Sequence, residues 1–227
     1  MKTFENHVDM EIKRLLTQKN YPCVAALQSY HRKDYWVKTY EDFGERYQRP
    51  ELRRDLLSYL EEYKKTESQH FSFWAVFNDL KNLNEDQFEM QMWNELSSLS
   101  SAESRSQDYD PRFSDDPLNK NFCFSIGGKA FFVVGLHPES SRRSRRFPWP
   151  ALVFNTFEQF DTLKTNNQYD SMTKVNRLRD KSYQGDANPM VLLYSEIWES
   201  IQFSGKKNEA SWKCPFHFRN VAGNRAQ

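Results

Sequence analysis

The apolar positions of the chain follow two periods, and the switches between them mark out predicted helices and strands. Val8, Ile12, Leu15 and Leu16 recur at helical spacing within residues 4–18, and Leu52, Leu56, Leu57, Leu60 and Tyr63 do so after Pro50. Recurrence every three to four residues puts such side chains on one stripe of a helix, so both segments are predicted to be amphipathic and to face a core. Between them, Tyr30 to Phe43 mixes aromatic and charged residues without a clean period and is expected to be irregular. Phe71-Ser-Phe-Trp-Ala-Val-Phe77 is rich in strand formers and bounded by polar residues, which predicts a strand. A helix is expected from Asn84, carrying Phe88, Met92, Trp93 and Leu96.

Residues 97–121 are dominated by Ser, Asp, Asn and Pro and suit a long exposed connection, the one candidate linker. Beyond it, Phe122–Ile126, Gly127-Gly128 and Lys129–Val134 form the strongest local signal, because Gly-Gly supplies the positive φ angles of a two-residue hairpin turn. Pro150 to Asn155 reads as the next strand, with helices expected near Phe157–Leu163, Ser171–Arg179 and Val191–Trp198. The predicted fold is α+β: one domain over residues 1–227, an antiparallel sheet with a central Gly-Gly hairpin, packed by helices.

Composition narrows the function. The 32 Lys and Arg against 31 Asp and Glu give a net charge of +1, which argues against a general nucleic-acid surface, since such binders need a basic excess on one face. No stretch approaches the roughly 18 consecutive apolar residues of a membrane span, and the first residues lack a basic segment followed by an apolar one, so a soluble cytoplasmic protein without membrane insertion is expected. Cys23, Cys123 and Cys214 are odd in number and widely spaced, which fits free thiols in a reducing compartment. The 18 Phe, 11 Tyr and 6 Trp supply large rings that can fill a core or wall a flat apolar ligand.

Two constellations carry candidate chemistry. The first, Gly135-Leu-His137-Pro-Glu-Ser-Ser141-Arg142-Arg143-Ser-Arg145-Arg146-Phe147, puts a histidine and four arginines on one connection at a strand end, the usual place for function. Guanidinium forks pair with carboxylates or phosphates, so the cluster calls for an anion; a solvated basic loop or a surface ion-pair network accounts for the same residues equally well. The second is Trp212-Lys-Cys214-Pro-Phe216-His217, where a soft sulfur and an imidazole lie three apart. Zinc would need two further ligands and the chain offers no second pair, whereas haem iron needs only one or two axial donors. A buried cysteine and a hydrogen-bonded histidine remain the simpler account of those residues alone. No phosphate loop, dinucleotide fingerprint or nucleophile elbow is present.

Taken in order, Phe131-Phe-Val-Val-Gly-Leu-His137-Pro-Glu-Ser-Ser-Arg142, Arg145-Arg-Phe147, Leu152-Val-Phe-Asn155, Arg177-Leu-Arg-Asp180, Gly185-Asp-Ala-Asn-Pro-Met190, Gln202-Phe-Ser-Gly205 and Trp212-Lys-Cys-Pro-Phe216 resemble the YqcI/YcgG family. Within it they are similar to the branch of haem-dependent N-hydroxylases of guanidino compounds. The resemblance covers residues 71–218 well and the first fifty only loosely. It implies an enclosed haem b, with Arg142, Arg145 and Arg146 neutralising the propionates and Ser141, Phe147, Asn155 and Phe216 in the surrounding pocket. Iron would be held by His137, His217 or Cys214. The implied activity is N-hydroxylation of arginine or a related guanidino compound, with Glu196 a candidate to hold the guanidinium; haem storage or trafficking is the alternative.

Overall fold

The computed structural model describes residues 2–66, 68–188, 199–209 and 211–219. In chain order its elements are α1 (Lys2–Leu16), α2 (Val24–Arg32), β1 (Tyr35–Tyr40), α3 (Pro50–Tyr63), β2 (Ser72–Phe77), α4 (Glu85–Ser98), the short α5 (Arg105–Asp108), β3 (Ser125–Ile126), β4 (Lys129–Leu136), β5 (Ala151–Thr156), α6 (Phe157–Thr165) and α7 (Tyr169–Gln184). Single 3-10 turns cover Arg143–Arg145 and Glu199–Gln202. The fold is mixed α+β around one five-stranded sheet of order β1-β2-β5-β4-β3.

Strand alternation sorts the sheet's side chains into two cores. Phe73, Ala75, Phe77, Phe131, Val133 and Phe154 point to one face, where Leu52, Leu56, Tyr59 and Leu60 of α3 and Phe88, Met92, Trp93 and Leu96 of α4 cover them. Trp74, Val76, Leu136 and Val153 point to the other, covered by Val8, Ile12, Leu15 and Leu16 of α1 and by Ala26 and Leu27 of α2. The stripe of α1 is thus the one its spacing predicts, whereas on α3 Leu57 is exposed and Tyr63 only partly buried, and Tyr59 takes the core position between Leu56 and Leu60, because the buried face of the helix is narrower than its run of apolar residues. Asn84 starts α4 through a capping box: its side chain accepts the Gln87 amide at 2.9 Å while the Gln87 side chain accepts the Asn84 amide at 3.0 Å.

The structure corrects four expectations. First, the sheet is not wholly antiparallel: β1 runs parallel to β2, with Tyr35 opposite Ser72 and Tyr40 opposite Phe77, and α3 supplies the crossover that a parallel pair requires. Second, Tyr30–Phe43 is not irregular. It contains the end of α2, which Lys33 closes in the left-handed region at φ 59, and the whole of β1. As an edge strand with partial burial on both faces, β1 has no alternation to read. Third, the Gly-Gly hairpin lies at the sheet's edge, and its first arm is the two residues of β3. Gly127 and Gly128 do take positive φ, 58 and 73. The acids of the preceding loop claim the nearby amides: Asp108 accepts that of Gly127 at 3.1 Å and Asp110 that of Ala130 at 3.2 Å.

That bonding also explains the fourth correction. Residues 97–121 are partly packed rather than an exposed linker, because Asp108 and Asp110 are buried and anchored by Arg53 and Arg112 at 2.9 and 2.6 Å. Serines 97, 98 and 100 are buried as well. The helices expected near residues 157–163 and 171–179 are present as α6 and α7. Val191–Trp198 lies outside the described residues.

Candidate functional site

The connection after β4 is held by its own backbone and by carboxylates of α7 and its C-terminal end. His137 accepts at its carbonyl and donates at its amide across the 3-10 turn, to which Arg145 contributes the facing carbonyl at 3.0 Å. Its ring is 1% exposed and stacks on Phe88 of α4 with centroids 4.2 Å apart and planes 15° from parallel. Burial pushes the imidazole pKa down to about 4, opposed by Glu85 and the Leu83 carbonyl. Arg142 forks onto Asp180 at 2.6 Å and Asp186 at 2.7 Å, so its anion is supplied from within the chain. Arg145 donates to the carbonyls of Gly135, Phe203 and Gln202 at 3.0 to 3.3 Å. Arg146 is exposed and donates to the Ser140 carbonyl at 2.8 Å. Ser141 is also exposed, and its amide and hydroxyl bond Glu85. Phe147 packs between Trp74 and Trp149.

The C-terminal tail lies elsewhere. Cys214 is buried, and burial pushes its thiol pKa up. Phe216 sits among Phe122, Phe124, Phe218 and Trp93. His217 is exposed, with Nδ1 3.5 Å from the Ser97 hydroxyl. His137 contacts α4 at Phe88 and His217 contacts it at Ser97, nine residues further on, a separation of about 13 Å along a helix. Two donors to one iron must lie within a few ångströms of each other. The structure therefore does not bring His137 and His217 together, and buried Phe88 and Trp93 of α4 occupy the ground between the two constellations.

Open space lies on the opposite face of the sheet. A cavity of about 240 Å³ runs between the side chains of Trp74, Val134, Leu136 and Val153 and the helices α2, α6 and α7. It exists because α2 turns small residues, Ala25, Ala26 and Ser29, toward the sheet. Asn176 of α7 accepts the Val24 amide at 3.0 Å and Arg179 donates to the Tyr21 carbonyl at 2.8 Å, which keeps α2 and α7 together as a roof. A second cavity of about 500 Å³ continues outward, sharing the walls Gln69, His70, Leu163 and Met172. Of the residues predicted from sequence, Arg145 and Asn155 line the inner cavity; His137, Cys214, Phe216 and His217 do not. The segments flanking residues 189–198 reach it through Asn188 and Gln202, and Glu196 falls outside the described residues.

Cys23 and His70 of the cavity wall carry no local signal in the sequence, because the wall is assembled from distant stretches in which each looks isolated, whereas Arg177 lies in one of the stretches that carry the family resemblance. The wall's composition fits an iron porphyrin: a large apolar floor, the Arg177 guanidinium for an acid group, with that of Arg145 beside it on backbone carbonyls, and an imidazole and a thiol as donors. Among the described residues no three His, Cys, Asp or Glu side chains cluster to hold a free metal ion, and no helix is long and apolar enough to cross a membrane.

No curated protein and no solved structure matches the chain. A family model for the YqcI/YcgG family matches residues 12–217, nearly the whole length and both sides of the sheet. The chain belongs to the YqcI/YcgG family.

Proposed function

We propose that this chain is a cytoplasmic haem b-binding protein and that it hydroxylates a nitrogen of arginine or a related guanidino compound. The observation that carries the reading is the cavity over Trp74, Val134, Leu136 and Val153, an apolar slot with two guanidinium groups in its wall. Sites for small ligands and cofactors have this character, mostly apolar with a few convergent polar groups. Arg177 would meet one propionate, Arg145 would have to exchange a carbonyl partner to meet the other, and the apolar floor would exclude water from the ring. Three free cysteines suit a reducing setting. The chemistry that haem supplies when bound is reductive oxygen activation: with two electrons and two protons from an external donor, one oxygen atom enters the N–H bond as N–OH and the other leaves as water.

Storage or trafficking of haem is the second reading, and one observation favours it. Asp180 is the one carboxylate of the inner wall among the described residues, and Arg142 already engages it at 2.6 Å. A guanidinium substrate needs a carboxylate of its own. The first experiment is haemin titration followed by the Soret band, using the full chain and Val153→Trp, which fills the slot. Saturable uptake by the native chain, weakened at least about tenfold in the variant, supports the reading. Absence of a Soret shift in the native chain refutes it. Turnover of arginine with oxygen and a reductant, scored as N-hydroxyl product, then separates enzyme from carrier.

A further inference from the structure

His70 stands where the two cavities meet. It lines both, is 8% exposed, and its ring Nδ1 is buried with no hydrogen-bond partner among the described residues. A buried imidazole nitrogen without a partner is costly, on the order of 1–3 kcal/mol, and such groups are rare unless a ligand or solvent satisfies them. The residue is nevertheless firmly placed. Its amide donates to the Ser68 hydroxyl at 3.1 Å, Ser68 donates to Asp34 at 2.7 Å, and two residues on the Ser72 hydroxyl meets that of Ser29 at 3.1 Å within the core.

The other donors on the wall are engaged or disfavoured. Tyr21 gives its phenol proton to the Ser144 carbonyl at 3.2 Å. The Cys23 sulfur accepts the Ala26 amide at 3.4 Å as the cap of α2, and burial pushes its thiol pKa up, so losing the proton is costly there. A thioether such as that of Met172 holds haem iron in concert with a histidine rather than alone. His70 is different: burial, aided by Arg32, pushes its pKa down, which keeps the imidazole neutral and its lone pair available at physiological pH.

We propose that His70 is the residue that binds the iron of the cofactor, through a free ring nitrogen at the junction of the two cavities. This rests on the haem reading above, and it replaces the donors of the two sequence constellations with one from the entry to β2. The neutral donor gives up no proton on binding, and its ring is already held by burial.

The test is haemin titration into the full chain, His70→Ala, His70→Gln and a surface control, His7→Ala, followed by absorption and electron paramagnetic resonance. The native chain and the His7 variant should show an imidazole-ligated ferric spectrum. Both His70 variants should lose that signature and bind at least about tenfold more weakly, and added imidazole should restore the spectrum in His70→Ala, which also shows that the variant is folded. Native uptake with an unchanged spectrum in both His70 variants overturns the assignment while leaving haem binding intact. So does a signature that disappears in Cys23→Ser or His137→Ala instead. No uptake by the native chain removes the assignment together with the reading on which it rests.

Discussion

Acidifying the ligand-free protein from about pH 7 to about pH 4 is expected to cost it about 3 kcal/mol through one side chain, His137. Its ring is 1% exposed and stacked on Phe88, and burial holds its pKa down from 6.5 to about 4 in the folded chain. Unfolded, the same imidazole takes up a proton below about 6.5. Between these two values the unfolded state binds more protons than the folded one, so stability falls as the pH falls, and the loss is complete once the pH is below both. Each factor of ten in proton affinity is worth about 1.4 kcal/mol, which gives the total of about 3 kcal/mol, a substantial share of the 5–15 kcal/mol typical of a domain. The assay is urea denaturation at several pH values across the window, for the native chain and His137→Phe. Phenylalanine keeps a ring against Phe88 and cannot titrate. The gap between the two stability curves should change by about 3 kcal/mol in the variant's favour toward acid. Parallel curves would refute the reasoning.

Three further outcomes follow from packing. Arg49 and Glu95 are both fully buried and joined at 2.8 and 3.1 Å, so Arg49→Met, which strands the carboxylate, should cost about 3–5 kcal/mol in denaturant unfolding, and Arg49→Met with Glu95→Leu should recover most of it. At Gly44, φ is +70 and an added Cβ would lie 2.6 Å from both Cβ and the carbonyl oxygen of Gln91; Gly44→Ala should lower stability by at least about 1 kcal/mol and the melting temperature with it. Cys123 and Cys214 are buried, so iodoacetamide should leave both unmodified in the native protein and label them after denaturation, with mass spectrometry giving the count.

The parts of the fold legible in the sequence are those whose burial is one-sided. The stripes of α1 and α3 face a core with solvent behind them, so their apolar spacing reports the contact. Asn84 declares its helix because a cap needs a particular side chain at a particular offset. β1 was hidden because neither face is cleanly buried, and the parallel pairing because no local pattern encodes strand direction. The acids of residues 108–110 read as solvated, whereas they are buried and bond the amides of Gly127 in the turn and Ala130 in β4. At the candidate site, Arg145 and Asn155 were picked out and do line the cavity. His70 and Cys23 stand without partners nearby in the sequence, since their meaning depends on a wall that only the folded chain assembles.

The position of β2 in the sheet has a bearing on how the molecule is made. One of its edges meets β1, but the other waits for β5, with Phe73 opposite Phe154, about 80 residues downstream. At a synthesis rate of about 5–20 residues per second, that edge stays unpaired on the ribosome for roughly 4–16 s. The six residues Ser-Phe-Trp-Ala-Val-Phe carry no charge and no proline, the kind of strand that adheres to others of its sort. Nascent chains halted before residue 151 should therefore be clients of chaperones, and purified fragments ending there should precipitate while the full chain stays in solution.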